Sequence, residues 1–173
     1  MRGLRSTVIF KNFAEAIANL CPQAWIINYT NPMSICTRTL TRVAPELKVF
    51  GCCHEVFSTQ RMLARVASQS LKIEMPPRSE IKVNVLGINH FTWIDQATYR
   101  EHNLLQLLKH HLEQPGTLRT YTQEEVESWN DWFHSADQVK FTLLQRFGIL
   151  AAAGDRHLVE FIPGFIQSPD TLF

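Results

Sequence analysis

Cys52, Cys53 and His54 stand side by side in GCCHEVFSTQ, residues 51–60, and His90 stands in GINHFTW, residues 87–93. A thiolate and an imidazole together can bind zinc, manganese, iron or nickel. The spacing forms neither a C-x-x-C pair nor an H-x-x-x-H pair, so it matches no zinc signature. A cysteine at the end of a strand is more often a small buried hydrophobe. Adjacent side chains there point to opposite faces, so one of the two cysteines is expected to serve packing alone. On the residues themselves, metal ligation and packing both stay open.

Two further groups have chemical potential. Asn28 and Asn31 flank a tight turn in NYTNP. Asparagine suits turns and helix caps, and it can equally hydrogen-bond a ligand or cofactor at a helix start. Asp155, Arg156, His157 and Glu160 form a polar cluster between the apolar runs LAAAG and LVEFIPG. A solvated turn gives such clusters, but the flanking runs suggest partial burial, and buried charges need partners or a task. His102, His110, His111 and His134 lie on polar helical stretches and are read as surface residues. Trp93, Trp129, Trp132 and Phe133 could line a sugar site, although aromatic residues more often fill cores.

These residues need a scaffold. VIFKNFAEAIANL has helical apolar spacing at Ile9, Phe10, Phe13, Ala14 and Ile17, and CPQ breaks it. AWIIN at 24–28 and LKVFG at 47–51 are short apolar runs that suit buried strands. Between them a helix is expected, with Asn31 as N-cap, Pro32 first inside, and an end near the AP at 44–45. HEVFSTQRMLARVASQSL reads as the next helix, and EIKVNVLGINHFTWIDQATY as strands. NLLQLLKHHLEQ is a helix stopped by Pro-Gly, Thr122 and Glu125 make a capping box, and DQVKFTLLQRFG is a helix that stops at Gly148. The alternation of helices and strands predicts an α/β sheet, at least partly parallel. Ligands of such sheets gather beyond the carboxyl ends of strands, where NYTNP, GCCHE and GINH fall.

Composition narrows the possible functions. Seventeen Lys and Arg against sixteen Asp and Glu leave a net charge of +1, with no run of like charge, so nothing points to a nucleic-acid partner. No apolar stretch approaches the roughly 18 residues of a membrane span, and the N-terminus does not read as a signal peptide. Four cysteines, two of them adjacent, make a poor disulfide framework, which favours a reducing cytoplasm.

NYTNPM, FGCCHE, VNVLGINHFTW and AAAGDRHLVEF, in this order and spacing, resemble glycoside hydrolase family 4, and within it the α-galacturonidase branch. The resemblance runs from RGLRS to FIPG. It implies the C-terminal half of a Rossmann-like, lactate/malate dehydrogenase-type domain over residues 1–86, running into an α+β catalytic domain over 87–173. It implies NAD and a divalent metal, usually Mn2+, and hydrolysis of O-glycosyl bonds by redox chemistry. In that scheme C3 of the sugar loses a hydride to NAD and the C2 proton is abstracted. The aglycone is then eliminated, water adds, and the hydride returns. By match to the family pattern, Cys53 and His90 are the metal ligands, His54 the acid for the departing oxygen, and Asp155 the base. Asn31 contacts substrate beside the nicotinamide, with Asn28 next to it, and Cys52 is structural. Arg156 is the expected partner of a uronate carboxylate, because a guanidinium binds one through paired hydrogen bonds. The implied partner is a small glycoside, a galacturonide, with a homo-oligomer expected for the full-length protein.

The pattern also has a gap. No G-x-G nucleotide loop occurs anywhere in the chain. About the first hundred residues of such a domain, and the C-terminal part of the catalytic domain, are expected to lie outside this chain. The fragment alone is therefore expected to be inactive. Two other expectations stand beside the glycosidase. One is a NAD-dependent 2-hydroxy-acid-type dehydrogenase on the same fold, favoured by IINYTNP but lacking the catalytic histidine motif of malate and lactate enzymes. The other is an inactive truncated remnant.

Overall fold

The computed structural model describes residues 2–118, 121, 122, 124, 125, 128 and 136–165. The chain forms two compact units, Met1–Cys53 and His54–Phe173.

In the first unit, helix α1 (Arg2–Leu20) packs against helix α2 (Met33–Val43). Strands β1 (Trp25–Asn28) and β2 (Lys48–Gly51) pair in parallel, with Trp25 opposite Lys48 and Asn28 opposite Gly51. The period-two alternation of a strand sends Ile26 and Val49 inward. There they pack on Ala14, Leu40, Ala44, Leu47, Phe10 and Ile17. The intervening residues Trp25, Ile27 and Phe50 are exposed. Helix α2 ends at Val43, ahead of Pro45, as the pre-proline restriction dictates.

The start of α2 corrects one expectation. The N-cap is Pro32, not Asn31, and it is extended at φ −76° and ψ 112°, so the helix begins one residue later at Met33. The Asn31–Pro32 peptide is cis. Pro32 itself supplies no side-chain hydrogen bond to cap α2.

In the second unit, helix α3 (Glu55–Leu71) turns Thr59, Met62, Leu63, Ala64, Val66 and Ala67 inward, a helical stripe. Strands β3 (Lys82–Ile88) and β4 (Phe91–Tyr99) form an antiparallel hairpin. A bulge interrupts the register at Asn84/Val85, and a two-residue turn, Asn89–His90, closes the hairpin. Strand β5 (His102–Asn103) pairs with β4. So does β6 (Leu150–Ala151), an edge the sequence offered only as an apolar run. Helix α4 (Leu104–Leu112) opens on Asn103, whose Oδ1 accepts the N–H groups of Leu105 and Gln106 at 3.0 and 3.1 Å. Helix α5 (Gln138–Phe147) stops at Gly148, which takes φ 76° as a C-terminal glycine commonly does. Helix α6 (Asp155–Phe161) follows β6. Its main core gathers Leu63, Ile81, Ile94, Leu104, Leu108, Leu144 and Leu150. Burial of side chains of this size is worth about 1.5–3 kcal/mol each.

The expected capping box is formed. Thr122 N–H donates to Glu125 Oε2 at 2.8 Å, and Glu125 N–H donates to Thr122 Oγ1 at 3.2 Å. Trp129, Trp132, Phe133 and His134 lie outside the described residues. Among the described residues the architecture is α/β, with one parallel strand pair and one antiparallel sheet.

Candidate metal centre

Three donors come together at the start of α3 and the tip of the β3–β4 hairpin. Glu55 occupies the first turn of α3, where a carboxylate suits the partial positive charge of a helix N-terminus. It is buried, and its Oε1 accepts the Gly154 N–H at 3.1 Å. His90 is the second residue of the hairpin turn and takes φ 61°. Cys53 precedes Glu55 by two residues, and the division between the units falls at its own peptide bond to His54. One ligand atom from each of Cys53, Glu55 and His90 lies within 4.8 Å of the other two.

The electrostatics favour a ligating imidazole. Burial, and then the neighbouring His157 ring, hold His90 below the usual histidine range, against the opposing pull of Glu55 and Glu160. A neutral imidazole is the form that donates a lone pair to a metal. Its ring stacks on His157 with centroids 3.8 Å apart and planes 8° from parallel. His157 Nε2 lies 3.5 Å from Glu55 Oε1, and its Nδ1 lies 3.6 Å from Glu160 Oε1.

Asp155 is placed differently from a solvent-facing base. Only 1% of its surface is exposed. Its Oδ2 accepts the Val139 N–H at 3.2 Å and its Oδ1 accepts the Lys140 N–H at 3.1 Å, so it caps α5 from outside that helix. Burial foremost, then the Asp137 charge, push its ionisation up to about 6 against these backbone bonds and the Lys140 charge. The Lys140 ammonium is itself buried, 3.1 Å from Asp137 Oδ1 and donating to Thr59 Oγ1 at 3.1 Å. Thr59 donates in turn to the Ala152 carbonyl at 2.8 Å.

The remaining residues are distributed as follows. His54 is half-buried as the N-cap residue of α3, with no side-chain capping bond. Arg156 is exposed on α6. In the first unit, Asn28 is buried and its amide is used internally: Nδ2 donates to Met33 O at 3.1 Å and Thr37 Oγ1 at 3.0 Å. Its Oδ1 accepts the Thr30 N–H at 3.1 Å. Asn31 is exposed, and Cys52 N–H donates to the Asn28 carbonyl at 3.0 Å. Sequence reasoning passed over Glu55, although it directly follows His54 in CCHE, and it placed His157 only within a general polar cluster.

Comparison with known proteins bears on the same stretches. The pattern of the family 4 glycosyl hydrolases matches residues 1–69, and that of the family 4 glycosyl hydrolase C-terminal domain matches residues 85–171. The α-galacturonidase of Thermoanaerobacterium saccharolyticum is 48% identical over 99% of this chain and 37% of its own length. That of Bacillus subtilis is 49% identical over 98% of this chain and 38% of its own length. The chain thus spans under two-fifths of these relatives. The crystal structure of lplD from Bacillus subtilis matches with a TM-score of 0.82 at 49% identity, covering 95% of this chain and 38% of that one. A 6-phospho-α-glucosidase from gut microorganisms, in complex with NAD and Mn2+, shares the fold at 21% identity with a TM-score of 0.63. It aligns over 92% of this chain and 35% of its own. On these matches the chain belongs to the family 4 glycosyl hydrolases.

Proposed function

We propose that this chain carries the metal centre of an α-glycosidase acting on galacturonides, and that its reaction needs NAD and a divalent metal, Mn2+ in the first instance. The observation that carries this reading is the convergence of a thiol, a carboxylate and an imidazole within 4.8 Å in Cys53, Glu55 and His90. Mixed sulfur, oxygen and nitrogen donors fit a borderline divalent ion, so the residues present suit the group. When bound, the metal would supply Lewis acidity toward the sugar hydroxyls and NAD an acceptor for a hydride.

The chain's own residues would then do the following. His90, held neutral, and Cys53 orient the metal, with Glu55 as a third donor. His54 gives a proton to the departing oxygen. Asn31 positions the sugar beside the nicotinamide end of the cofactor, and Asn28, whose amide is taken up internally, holds the turn that carries Asn31. Arg156, exposed on α6, pairs with the uronate carboxylate. Asp155 is the proposed base. An ionisation near 6 suits proton transfer at neutral pH, but its two backbone bonds give it a second task at the start of α5.

The proposed family boundary, between 1–86 and 87–173, lies near the start of the second family match at residue 85, whereas the compact units divide earlier, after Cys53. Four cysteines, two of them adjacent, make a poor disulfide framework and favour a reducing cytoplasm. No helix among the described residues is long and apolar enough to cross a membrane.

The test is a galacturonide assay on the product of the complete reading frame. Sugar release that needs both NAD and Mn2+, with no accumulation of NADH, is the expected result. Stoichiometric NADH would assign a dehydrogenase instead. Release unaffected by chelator would sink the metal reading. The 173-residue chain alone is expected to bind Mn2+ without turning over, and turnover by it would overturn that expectation.

A further inference from the structure

The metal donors are held by a residue with no assigned task. His157, on α6, faces two of them at once: its ring lies flat on His90 at 3.8 Å, and its Nε2 is 3.5 Å from Glu55. The Glu55 contacts have a pattern. The Gly154 N–H and His157 Nε2 both meet Oε1, and among the described residues no hydrogen bond falls on Oε2. One oxygen is thus anchored by the protein while the other is left as a donor, the arrangement of a ligating carboxylate fixed from behind. The second ring nitrogen of His157 is 3.6 Å from Glu160 Oε1, and among the described residues it has no hydrogen-bond partner although buried. His157 is therefore strung between two carboxylates and packed against an imidazole, a costly placement for a residue whose only role is to fill space.

We infer that His157 is a positioning residue of the metal centre: Nε2 orients the Glu55 carboxylate, and the stacked ring fixes the plane of the His90 imidazole. This inference rests on the metal reading above. It extends that reading from α3 and the hairpin to α6, whose first residue, Asp155, is anchored to α5 through Val139 and Lys140. Outer partners of this kind set the orientation of first ligands, and losing one typically weakens metal affinity about 10–100-fold.

Mn2+ titration of the chain, followed by the electron paramagnetic resonance of the free ion, tests this with three variants. His157→Phe keeps a ring to stack but removes the donor to Glu55, and about 10–100-fold weaker binding is expected. His157→Gln places an amide nitrogen near the Nε2 position and should restore most of that loss. His157→Asn, which reaches only as far as the Nδ1 position, should not, and this pair keeps the test open if the phenylalanine variant does not fold. Co2+ replaces Mn2+ as a spectroscopic probe. In His157→Phe the thiolate-to-cobalt absorption should persist, because Cys53 is intact, while the ligand-field bands shift. A loss of fold would abolish both. Wild-type affinity in His157→Phe, or equal weakening in the glutamine and asparagine variants, would overturn the positioning role and leave the metal reading standing. A wild-type chain that binds neither Mn2+ nor Co2+ would overturn both.

Discussion

At the scale of single residues, the site is built from side chains whose ordinary properties have been moved by their neighbours. Burial first, and then a second imidazole, hold His90 below the usual histidine range. Replacing Cys53 by Ser or His90 by Ala removes one of three donors, and Mn2+ affinity should fall at least about 10-fold by titration, with little change in the circular dichroism of the chain. Asp155 carries a different prediction. Its carboxyl ionises near 6 when folded, above the ordinary value of 3.8. The folded chain therefore binds a proton that the unfolded chain has lost between these two values, and stability falls as pH rises through this window. The stabilisation is complete below about 4 and gone above about 6, and the full excursion is on the order of 3 kcal/mol. Urea midpoints measured from pH 4 to 7 should show this slope in the wild type and lose it in Asp155→Asn. An unchanged slope in the variant would assign the dependence to another group. The same substitution tells base from cap in the complete enzyme. Lost turnover with a normal melt marks a base, whereas a lowered melting temperature marks a cap.

At the scale of elements, the hairpin that carries His90 depends on Gly87. This residue has φ +99°, and a Cβ there would sit 2.5 Å from the Phe91 carbonyl oxygen. Gly87→Ala must shift the backbone next to the turn. It should cost on the order of 1–3 kcal/mol and weaken Mn2+ binding, although residue 87 touches no ion. A variant with wild-type affinity would show that the turn tolerates the shift. Asn103 gives a cleaner control: Asn103→Ala removes the cap of α4 and should cost about 1 kcal/mol in a denaturant titration while leaving Mn2+ binding alone. Elements were the most legible part of the sequence. AWIIN, LKVFG and the helix after CCHE were read within about one residue, because apolar period and Pro or Gly punctuation act locally. The start of α2 was misread because Asn-Pro resembles a cap in one dimension, whereas Pro32 stays extended and Asn28, earlier in the chain, holds the turn. Glu55 and His157 were hidden for a related reason: their task comes from partners 99 and 102 positions away in sequence, at Gly154 and Glu55.

At the scale of the whole molecule, the chain spans under two-fifths of its curated relatives, and its first unit has an exposed apolar sheet face. A parallel sheet is normally covered on both faces. Here one face of β1–β2 packs on helices, while Trp25, Ile27 and Phe50 stay 70%, 61% and 43% exposed. Such a strip favours self-association in isolation. Ile27→Lys should raise the solubility of the chain and lower its dye binding and light scattering, with little effect on its melting temperature. Persistent association in that variant would locate the adhesive surface elsewhere. The α/β class could be read from the order of elements, and the antiparallel pairing of β6 with β4 could not, because a two-residue strand has no period to detect.

The donor set proposed at Cys53, Glu55 and His90 also carries a consequence for metal supply in the cell. A site that joins sulfur and imidazole to a single carboxylate ranks first-row ions in the Irving–Williams order, in which manganese stands last and zinc far ahead. Intrinsic preference would thus favour zinc over the manganese proposed above. Which metal such a pocket holds is settled by what the surrounding medium offers, so elemental analysis of protein grown in zinc-rich and manganese-rich media should return different occupants from one unchanged polypeptide.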